Sequence, residues 1–445
     1  MKHLNFKIFT LLICTSIFLF SCNKDDLFEA KYEINKISKS ANYRPKLTED
    51  EAIKNLQSFL NELDQSSEGS ISTRNKPERI IDDVQVIGKK VELVANNDKS
   101  NLRNLSSTIQ MDTILYLINF EDAGGFAIVS ADERSNKIYA IIDEGALDIN
   151  DIDKVDNPGF NMFMENAIAK ELSTIETYDS NNEDKLTLRS NPYVTGHKLS
   201  PRLKTKWGQD EPYNKFSSNG VTGCVPTAIA QIFSYYCPIN NVNYDDNGVK
   251  RSSDLNWNNI LSDCENSYVF YGALTNNGAP QSSLQVAHLM RYIGIGIGAY
   301  YDDYGETSAS SIKAISWLRN SVGFSKSMKL VDYDAEAAYN ALTEGNLIYV
   351  SGSSGGATGH AWVGDGMFLL RYVTMVGNGE PIPPTYEYYL HCNWGWNGRC
   401  DGYYLDFDLS TGAPEEDIVN PEYIDRPGSV NTNYNTAKRM AIVQR

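Results

Sequence analysis

The chain has 445 residues, more than one hydrophobic core usually holds, and this length predicts two domains joined by a linker. Hydrophobic residues make up 41% and charged residues 22% of the chain, which excludes a disordered or fibrous protein. The net charge of -17 repels polyanions, so we expect no nucleic-acid partner.

The first residues have the pattern of an export signal. Two lysines accompany an apolar run at 8–20, which is shorter than the about 20 residues that a membrane-spanning helix needs. The run ends in Leu19-Phe20-Ser21-Cys22, which resembles a bacterial lipobox, whose cysteine becomes the lipidated first residue. We therefore predict a lipoprotein signal peptide over 1–21 and a lipid on Cys22 as the sole membrane contact. The expected location is the outer membrane or cell surface, from which processing could release the protein; an uncleaved short anchor is the alternative.

Residues 22–177 have the pattern of one small α+β domain. A capping box, Thr48 to Glu51, opens an amphipathic helix, and a second helix is predicted around 160–172. Runs rich in β-branched and aromatic residues predict strands between the helices. These runs lie at 85–94, 113–120, 126–131 and 137–142. No set of side chains in this domain suggests a reaction.

Residues 178–194 form a polar stretch without apolar periodicity. This pattern predicts an exposed linker, the kind of segment that proteases cut. Beyond it, residues 195–445 are richer in Trp, Gly and Tyr, and every motif that suggests chemistry lies there. We therefore expect a second, catalytic domain over 195–445.

Cys224 is the candidate nucleophile. The segment Thr222-Gly223-Cys224-Val225-Pro226 precedes apolar residues at helical spacing, which predicts a helix that begins at the cysteine. Proline is favoured in the first turn of a helix, where its missing N–H costs nothing. The helix dipole and the free N–H groups there favour the thiolate, so we expect a lowered thiol pKa. A small buried cysteine under a loop is the alternative.

A thiolate nucleophile needs a base that also protonates the leaving amine. Four of the five histidines have simpler interpretations. They are His3 in the signal peptide, His197 in a predicted polar loop, His288 inside a predicted helix and His391 packed in a predicted strand. His360 remains, at the start of a strand and after a glycine-rich loop that ends at Gly359. Such a loop lets substrate backbone approach closely, although a flexible hairpin connection would have the same composition.

Two side-chain amides complete the candidate site. An imidazole base needs an acceptor to hold its tautomer, and Asn393 is the candidate. Trp394 could screen that bond from water, although strand tryptophans often belong to the core. The reaction's oxyanion needs two donors, the Cys224 N–H and the amide of Gln209, 15 residues upstream. A surface loop glutamine is the alternative reading of Gln209.

The order of these residues along the chain is Gln, Cys, His, Asn. In papain-type proteases His and Asn follow the nucleophile by about 130–150 residues. Here His360 lies 136 residues and Asn393 169 residues after Cys224. The whole set is more specific than any of its parts.

The other cysteines indicate neither a metal site nor a defined set of disulfides. Cys14 lies in the signal peptide and Cys22 is the lipidation candidate, which leaves five, so at least one thiol stays free. The pairing among the remaining four is left open: Cys237, Cys264, Cys392 and Cys400. No pair has the spacing of a zinc site, and we predict no metal and no cofactor.

Residues 195–445 strongly resemble the streptopain-type cysteine peptidases, bacterial enzymes with the papain fold. The resemblance rests on four segments in the same order: WGQDEPYN, GCVPTAIAQI, GHAWVGDG and NWGWNG. Residues 124–142 also resemble the pro-region of that family, which inhibits the enzyme until it is removed. The resemblance implies an α+β, papain-like catalytic domain, with a helical side and a twisted antiparallel sheet, after an inhibitory pro-domain over 22–177.

The same resemblance implies the roles of the site residues. Cys224 is then the nucleophile and His360 its base, in a thiolate–imidazolium pair. Asn393 orients His360, Gln209 serves the oxyanion hole and Trp394 covers the pair. The implied activity is endopeptidase cleavage of proteins or peptides, with a hydrophobic residue favoured two positions before the cut. The implied partners are those substrates and the chain's own pro-domain.

The segment between Val363 and Asn393 is longer than this family predicts, and its part at 376–384 predicts a protruding loop that affects substrate specificity. Two other functions stay open. One is a papain-fold amidase acting on cell-wall peptides, against which Gln209 and the NWGW motif speak. The other is a catalytically silent surface adhesin or inhibitor lipoprotein, against which the intact set of four side chains speaks.

Overall fold

The fold comes from a computed structural model, which describes residues 46–65, 79–93, 108–181, 193–265, 281–353, 359–373, 384–406 and 438–445. The predicted signal peptide with Cys22 lies outside these residues, as do most of the 178–194 linker and of the 376–384 loop. Within the described ranges, no helix is both long enough and apolar enough to cross a membrane.

Seven helices and fifteen strands form in the described part of the chain. The helices are α1 (Glu49–Gln65), α2 (Pro158–Asn181), α3 (Cys224–Tyr236), α4 (Trp257–Glu265), α5 (Gln281–Ile297), α6 (Ser311–Trp317) and α7 (Ala335–Thr343). The strands are β1 (Ile81–Leu93), β2 (Thr108–Phe120), β3 (Phe126–Ser130), β4 (Ile138–Ile142), β5 (Tyr193–Leu199), β6 (Asn241–Asp246), β7 (Val249–Asp254), β8 (Tyr300–Tyr301), β9 (Thr307–Ser308), β10 (Val331–Asp332), β11 (Leu347–Ser353), β12 (Gly359–Val373), β13 (Thr385–Asn393), β14 (Gly402–Leu405) and β15 (Arg439–Val443).

Eleven of these strands join in one antiparallel sheet. Its order is β1-β2-β3-β4-β14-β13-β12-β11-β15-β10, and β5 pairs with the second half of β12. The other strands form two separate hairpins, β6–β7 and β8–β9. The helices of the described residues together with this large antiparallel sheet confirm the predicted α+β class with a papain-like arrangement.

The N-terminal half forms the elements that its sequence predicts. The capping box closes from both sides: the Thr48 N–H donates to the Glu51 carboxylate at 2.8 Å, and the Glu51 N–H donates to the Thr48 hydroxyl at 3.3 Å. All four predicted strands are present, as β1 to β4. The second helix, α2, runs on to Asn181, and β5 begins at Tyr193. Regular structure therefore extends into both ends of the predicted linker.

The sheet is continuous between the two predicted domains. Strand β4 of the N-terminal half pairs with β14 of the C-terminal half, with Ile142 opposite Gly402. A Cβ on Gly402 would lie 2.3 Å from the carbonyl oxygen of Ile141, so this close approach of two backbones requires glycine. The domain boundaries stay a prediction, and the two halves are joined by strand pairing.

The C-terminal part of the sheet separates two hydrophobic cores, because side chains alternate between its faces. On β11, Leu347 and Tyr349 pack with α3 on the helical side. Ile348 and Val350 of the same strand pack in the core that includes the N-terminal half. The first part of β12, which carries the candidate base, alternates in the same way: Ala361 and Val363 pack on the helical side and Trp362 packs in the other core.

Candidate active site

Cys224 is the first residue of α3, where the sequence predicts it. Gly223 precedes it with a φ of 90°, a conformation that favours glycine, and Pro226 lies in the first helical turn. The cysteine is partly buried, and its thiol is within hydrogen-bonding reach of the backbone N–H groups of Val225, Ala361 and Cys224 itself. Ala361 is the residue after His360, so the fold brings the two predicted residues to neighbouring positions.

His360 is the second residue of β12 and is 5% exposed. Three tryptophan rings surround it, with centroid distances of 6.1 Å to Trp362, 6.2 Å to Trp394 and 6.0 Å to Trp396. Its Nε2 lies 2.9 Å from the backbone carbonyl oxygen of Trp394. Because a carbonyl only accepts, Nε2 carries the hydrogen, and Nδ1 of the neutral ring remains the acceptor nitrogen.

Cys224 and His360 are not hydrogen bonded to each other in the described part of the chain. The thiol lies against the N–H of Ala361, whereas the imidazole packs among the three tryptophans. The candidate nucleophile and base are therefore adjacent but not assembled into a pair.

Burial controls the protonation of both groups. It raises the pKa of the Cys224 thiol, and the nearby backbone N–H groups only partly offset this effect. Burial also lowers the pKa of His360 to about 4, against which the bond to the Trp394 carbonyl acts in the opposite direction. Both shifts favour a neutral thiol and a neutral imidazole. The predicted lowering of the thiol pKa concerns the mature enzyme and stays a prediction; in the full chain, burial disfavours the thiolate more than the backbone N–H groups favour it.

Asn393 does not make the expected direct hydrogen bond to His360. Its Oδ1 accepts from Gln231 Nε2 at 2.5 Å and from the Gly395 N–H at 3.2 Å, and its Nδ2 donates to the Thr205 carbonyl at 2.8 Å. The acceptor at His360 is instead the backbone carbonyl of the next residue, Trp394. The sequence thus indicated the correct segment but the wrong acceptor atom.

Gln209 is buried, at 7% exposure, which excludes the alternative of a surface glutamine. The backbone carbonyl of Gln209 accepts the Thr222 N–H at 3.0 Å, and this bond links the Gln209 loop to the segment that leads into Cys224. This position agrees with the predicted oxyanion donor, and that role stays a prediction.

Trp394 is held at both its backbone and its ring. Its backbone N–H donates to Asp401 Oδ1 at 3.0 Å, and its indole N–H donates to the Cys400 carbonyl at 3.0 Å. Burial raises the pKa of Asp401 to about 7. The ring centroid lies 4.9 Å from that of Trp362. Gly359, the other predicted supporting residue, opens β12 opposite Ser353.

The remaining histidines and cysteines are placed away from this chemistry. His288 lies in α5, as predicted, and its Nδ1 pairs with the Tyr244 hydroxyl at 2.8 Å. The predicted loop position of His197 is wrong, because β5 pairs with β12 and His197 lies within it. In the described residues, none of the five cysteines forms a disulfide, and no group of side chains could hold a metal ion.

His391 joins the two halves of the chain, a contact that the sequence did not indicate. It is buried in β13, with Nδ1 2.6 Å from Asp365 and Nε2 2.9 Å from Asp143 of the N-terminal half. Burial opposes its charge, but the two carboxylates raise the pKa of His391 to about 10. Burial would likewise raise the pKa of Asp143, but the charge and hydrogen bond of His391 bring it below its ordinary value. His391 is therefore a buried cation shared by the two halves.

This cluster predicts a loss of stability in alkali. Because the pKa of His391 is raised in the folded chain, its positive charge contributes its full stabilisation below the unfolded pKa of about 6.5. This contribution is lost as the pH rises toward about 10. Wild type should have a larger free energy of unfolding than His391→Gln at pH 6.5. This difference between the two chains should shrink by a few kcal/mol when the pH is raised to 10. Urea unfolding of both chains, each also carrying Cys224→Ser to prevent self-digestion, measures the difference. His288→Gln is the matched control, because its histidine has a lowered pKa. An equal difference between wild type and His391→Gln at both pH values would contradict the assignment.

Comparisons with known proteins find similar cysteine peptidases. Residues 207–404 match the Peptidase C10 family. Streptopain from Streptococcus pyogenes is 26% identical over 357 residues, which cover 69% of this chain and 76% of that protein. The streptopain of serotype M28 (strain MGAS6180) is 25% identical over the same length. The thiol protease/hemagglutinin PrtT from Porphyromonas gingivalis is 22% identical over 330 residues, which cover 68% of this chain and 35% of that protein.

Proposed function

Because the chain is a streptopain-like cysteine endopeptidase, we propose that it is made as an inactive, exported precursor whose N-terminal half blocks the active site. The proposal places the mature enzyme at the cell surface or outside the cell, where it cleaves proteins. Cys22 would carry the lipid that anchors the precursor.

One observation carries the assignment of the site. The Cys224 thiol, at the N-terminus of α3, lies against the backbone N–H that follows His360, and the Gln209 loop is bonded to the residues just before the cysteine. We assign Cys224 as nucleophile and His360 as base. Gln209 and the Cys224 N–H are the two oxyanion donors.

The reaction follows from these roles. The thiolate attacks the carbonyl carbon of the substrate, and the oxyanion that forms accepts hydrogen bonds from the Cys224 N–H and the Gln209 amide. The imidazolium of His360 gives its proton to the leaving amine. A water molecule, deprotonated by His360, then hydrolyses the thioester and regenerates the thiol.

Contacts from the N-terminal half support the inhibitory role. At the start of α2, Gly159 packs so closely on Trp394 that a Cβ there would lie 2.2 Å from the indole ring. Asn157 Nδ2 donates to the Arg399 carbonyl at 2.8 Å. Gly352 pairs with His360 across β11 and β12, and a Cβ added to Gly352 would lie 3.5 Å from the Met162 methyl group. The N-terminal half therefore packs on the aromatic cluster that surrounds His360.

The same contacts explain why both groups are neutral before activation. Departure of the N-terminal half would expose the site to water, which reduces the desolvation that raises the thiol pKa and lowers the imidazole pKa. The thiolate–imidazolium pair is then expected in the mature enzyme. The iodoacetamide alkylation rate of Cys224 should accordingly inflect at lower pH after activation than before it.

Activation gives the direct test. If Leu188 lies two positions before the cut, the bond after Arg189 breaks, and the purified precursor should shorten by roughly 20 kDa. Casein cleavage should appear as it shortens and should disappear after alkylation. A Cys224→Ser precursor should stay intact in the same preparation. Mass spectrometry of the product identifies its N-terminus and, on the released half, the lipid at Cys22.

Three outcomes would count against parts of the proposal. A serine variant that matures as fast as wild type would exclude self-processing. Full casein activity of the unprocessed chain would exclude inhibition by the N-terminal half. Cleavage of peptidoglycan peptides without cleavage of casein would replace the endopeptidase by an amidase.

A further inference from the structure

Gln231 lies in the middle of α3, two turns after Cys224, and its side chain is fully buried. Both ends of its amide are bonded. Oε1 accepts the Trp207 N–H at 3.2 Å and the Thr205 hydroxyl at 3.3 Å, and Nε2 donates to Asn393 Oδ1 at 2.5 Å. One glutamine therefore connects the loop that leads to Gln209 with Asn393, the last residue of β13.

The bond to Asn393 continues toward His360 through a single peptide group. Asn393 Oδ1 also accepts the N–H of Gly395 at 3.2 Å. That N–H belongs to the same peptide as the Trp394 carbonyl, which accepts from His360 Nε2 at 2.9 Å. Gln231 and Asn393 thus fix the plane of the peptide that orients the imidazole.

We propose that Gln231 is a positioning residue of the active site, which holds the oxyanion loop and the acceptor of His360 in register from one rigid helix. It touches neither substrate nor the reacting atoms. The inference deepens the proposed function and rests on the roles given there to Cys224, His360 and Gln209. Because α3 also begins with Cys224, the helix sets the positions of all three groups relative to one another.

Loss of this link has a consequence that loss of packing would not have. The Trp394 carbonyl raises the pKa of His360, because it accepts a hydrogen bond from the charged ring more strongly than from the neutral one. A loosened peptide should lower that pKa. The upper pH limb of kcat/KM, which reports deprotonation of the imidazolium, should then move to lower pH.

Two substitutions test the link. Gln231→Glu keeps the size and one acceptor but turns an oxygen toward Asn393 Oδ1, and Gln231→Met keeps the length without polar atoms. Each should lower kcat about tenfold or more per titrated active site, with KM changed less than about threefold. Both upper limbs should shift to lower pH. The methionine variant, which buries no extra charge, serves if the glutamate variant does not fold.

Tyr236→Phe is the matched control at the other end of α3. It removes a hydroxyl that donates to the Val443 carbonyl at 2.6 Å and accepts the Leu347 N–H at 3.2 Å, far from the site. It should lower the melting temperature without moving the pH limb. If Gln231 had only a structural role, its variants should also lower the melting temperature without moving the upper pH limb of kcat/KM.

All chains are expressed at full length and activated identically, and alkylation of Cys224 by iodoacetamide is followed against pH as a readout that needs no turnover. If wild type cleaves casein but the Gln231 variants keep its kcat per site and its pH limb, the positioning role is wrong. If wild type cleaves no protein but the variants still shift the upper inflection of the alkylation profile, which reports deprotonation of the imidazolium, to lower pH, the proposed function fails and the positioning role stands. If both Gln231 variants leave the pH dependence of kcat/KM and that of alkylation unchanged, the inference is wrong.

Discussion

Replacing Cys224 with alanine is expected to abolish protein cleavage, with a loss of at least about 10⁴ in kcat. The substitution removes the atom that forms the thioester, and the remaining oxyanion donors cannot supply a nucleophile. The thiol is only partly buried and lies at the end of a helix, so its removal leaves little cavity. We therefore expect the melting temperature to change by less than about 3 °C.

Cys237 provides the matched control for this variant. It is also free and partly buried, but it caps the C-terminal end of the same helix with a left-handed φ of 46°. Cys237→Ala should keep wild-type turnover and should still react with an alkylator at one active thiol. Retention of even a tenth of wild-type turnover by Cys224→Ala would show that the nucleophile is another group.

Replacing Gln209 with alanine is the second large expected effect, a loss of roughly 10²–10³ in kcat with KM little changed. The amide is assigned to the oxyanion, whose full charge forms only in the transition state, so ground-state binding should not depend on it. Two hydrogen bonds hold the backbone around Gln209: the Trp207 N–H donates to the Gln231 side chain, and the Gln209 backbone carbonyl accepts the Thr222 N–H. The alanine variant should therefore keep the backbone in place.

Steady-state kinetics on casein-derived peptides measure this effect. Asp210→Asn is the control next in sequence, since Asp210 is exposed and its backbone carbonyl, which accepts from Tyr213, is retained. Gln209→Glu should lose at least as much as the alanine variant, because a carboxylate repels the oxyanion. A fall of less than about threefold in kcat for Gln209→Ala would remove Gln209 from the oxyanion hole.

The sequence predicted the elements whose cause is local. The capping box at Thr48 and Glu51, the four strands of the N-terminal half and the start of α3 at Cys224 each depend on residues a few positions apart. Propensity and periodicity act over that range. The exception was His197, whose polar neighbours predicted a loop, whereas pairing with the distant strand β12 makes it part of β5.

The sequence named candidate site residues but could not specify their bonds. The motif order groups Gln209, Cys224 and His360, and the backbone contacts link the Gln209 loop to Thr222 and the Cys224 thiol to Ala361; the roles of these residues stay a prediction. The acceptor of His360 could not be predicted, because every residue carries a backbone carbonyl and only the path of the chain selects that of Trp394. Gln231 was missed for a related reason, since a single glutamine within a mostly apolar helix has no distinguishing pattern.

By itself, then, the sequence determined which segments of the N-terminal half form helices and strands, that α3 starts at Cys224, and which residue types are available for the chemistry and in what order. The tertiary structure decided which of those groups are charged and which are bonded. Burial by segments far apart in sequence raises the pKa of the Cys224 thiol and lowers that of His360. Two carboxylates hold a proton on His391, one of them 248 residues away. Desolvation and long-range pairing depend on what the folded chain places around a group, and a local pattern carries no information about either.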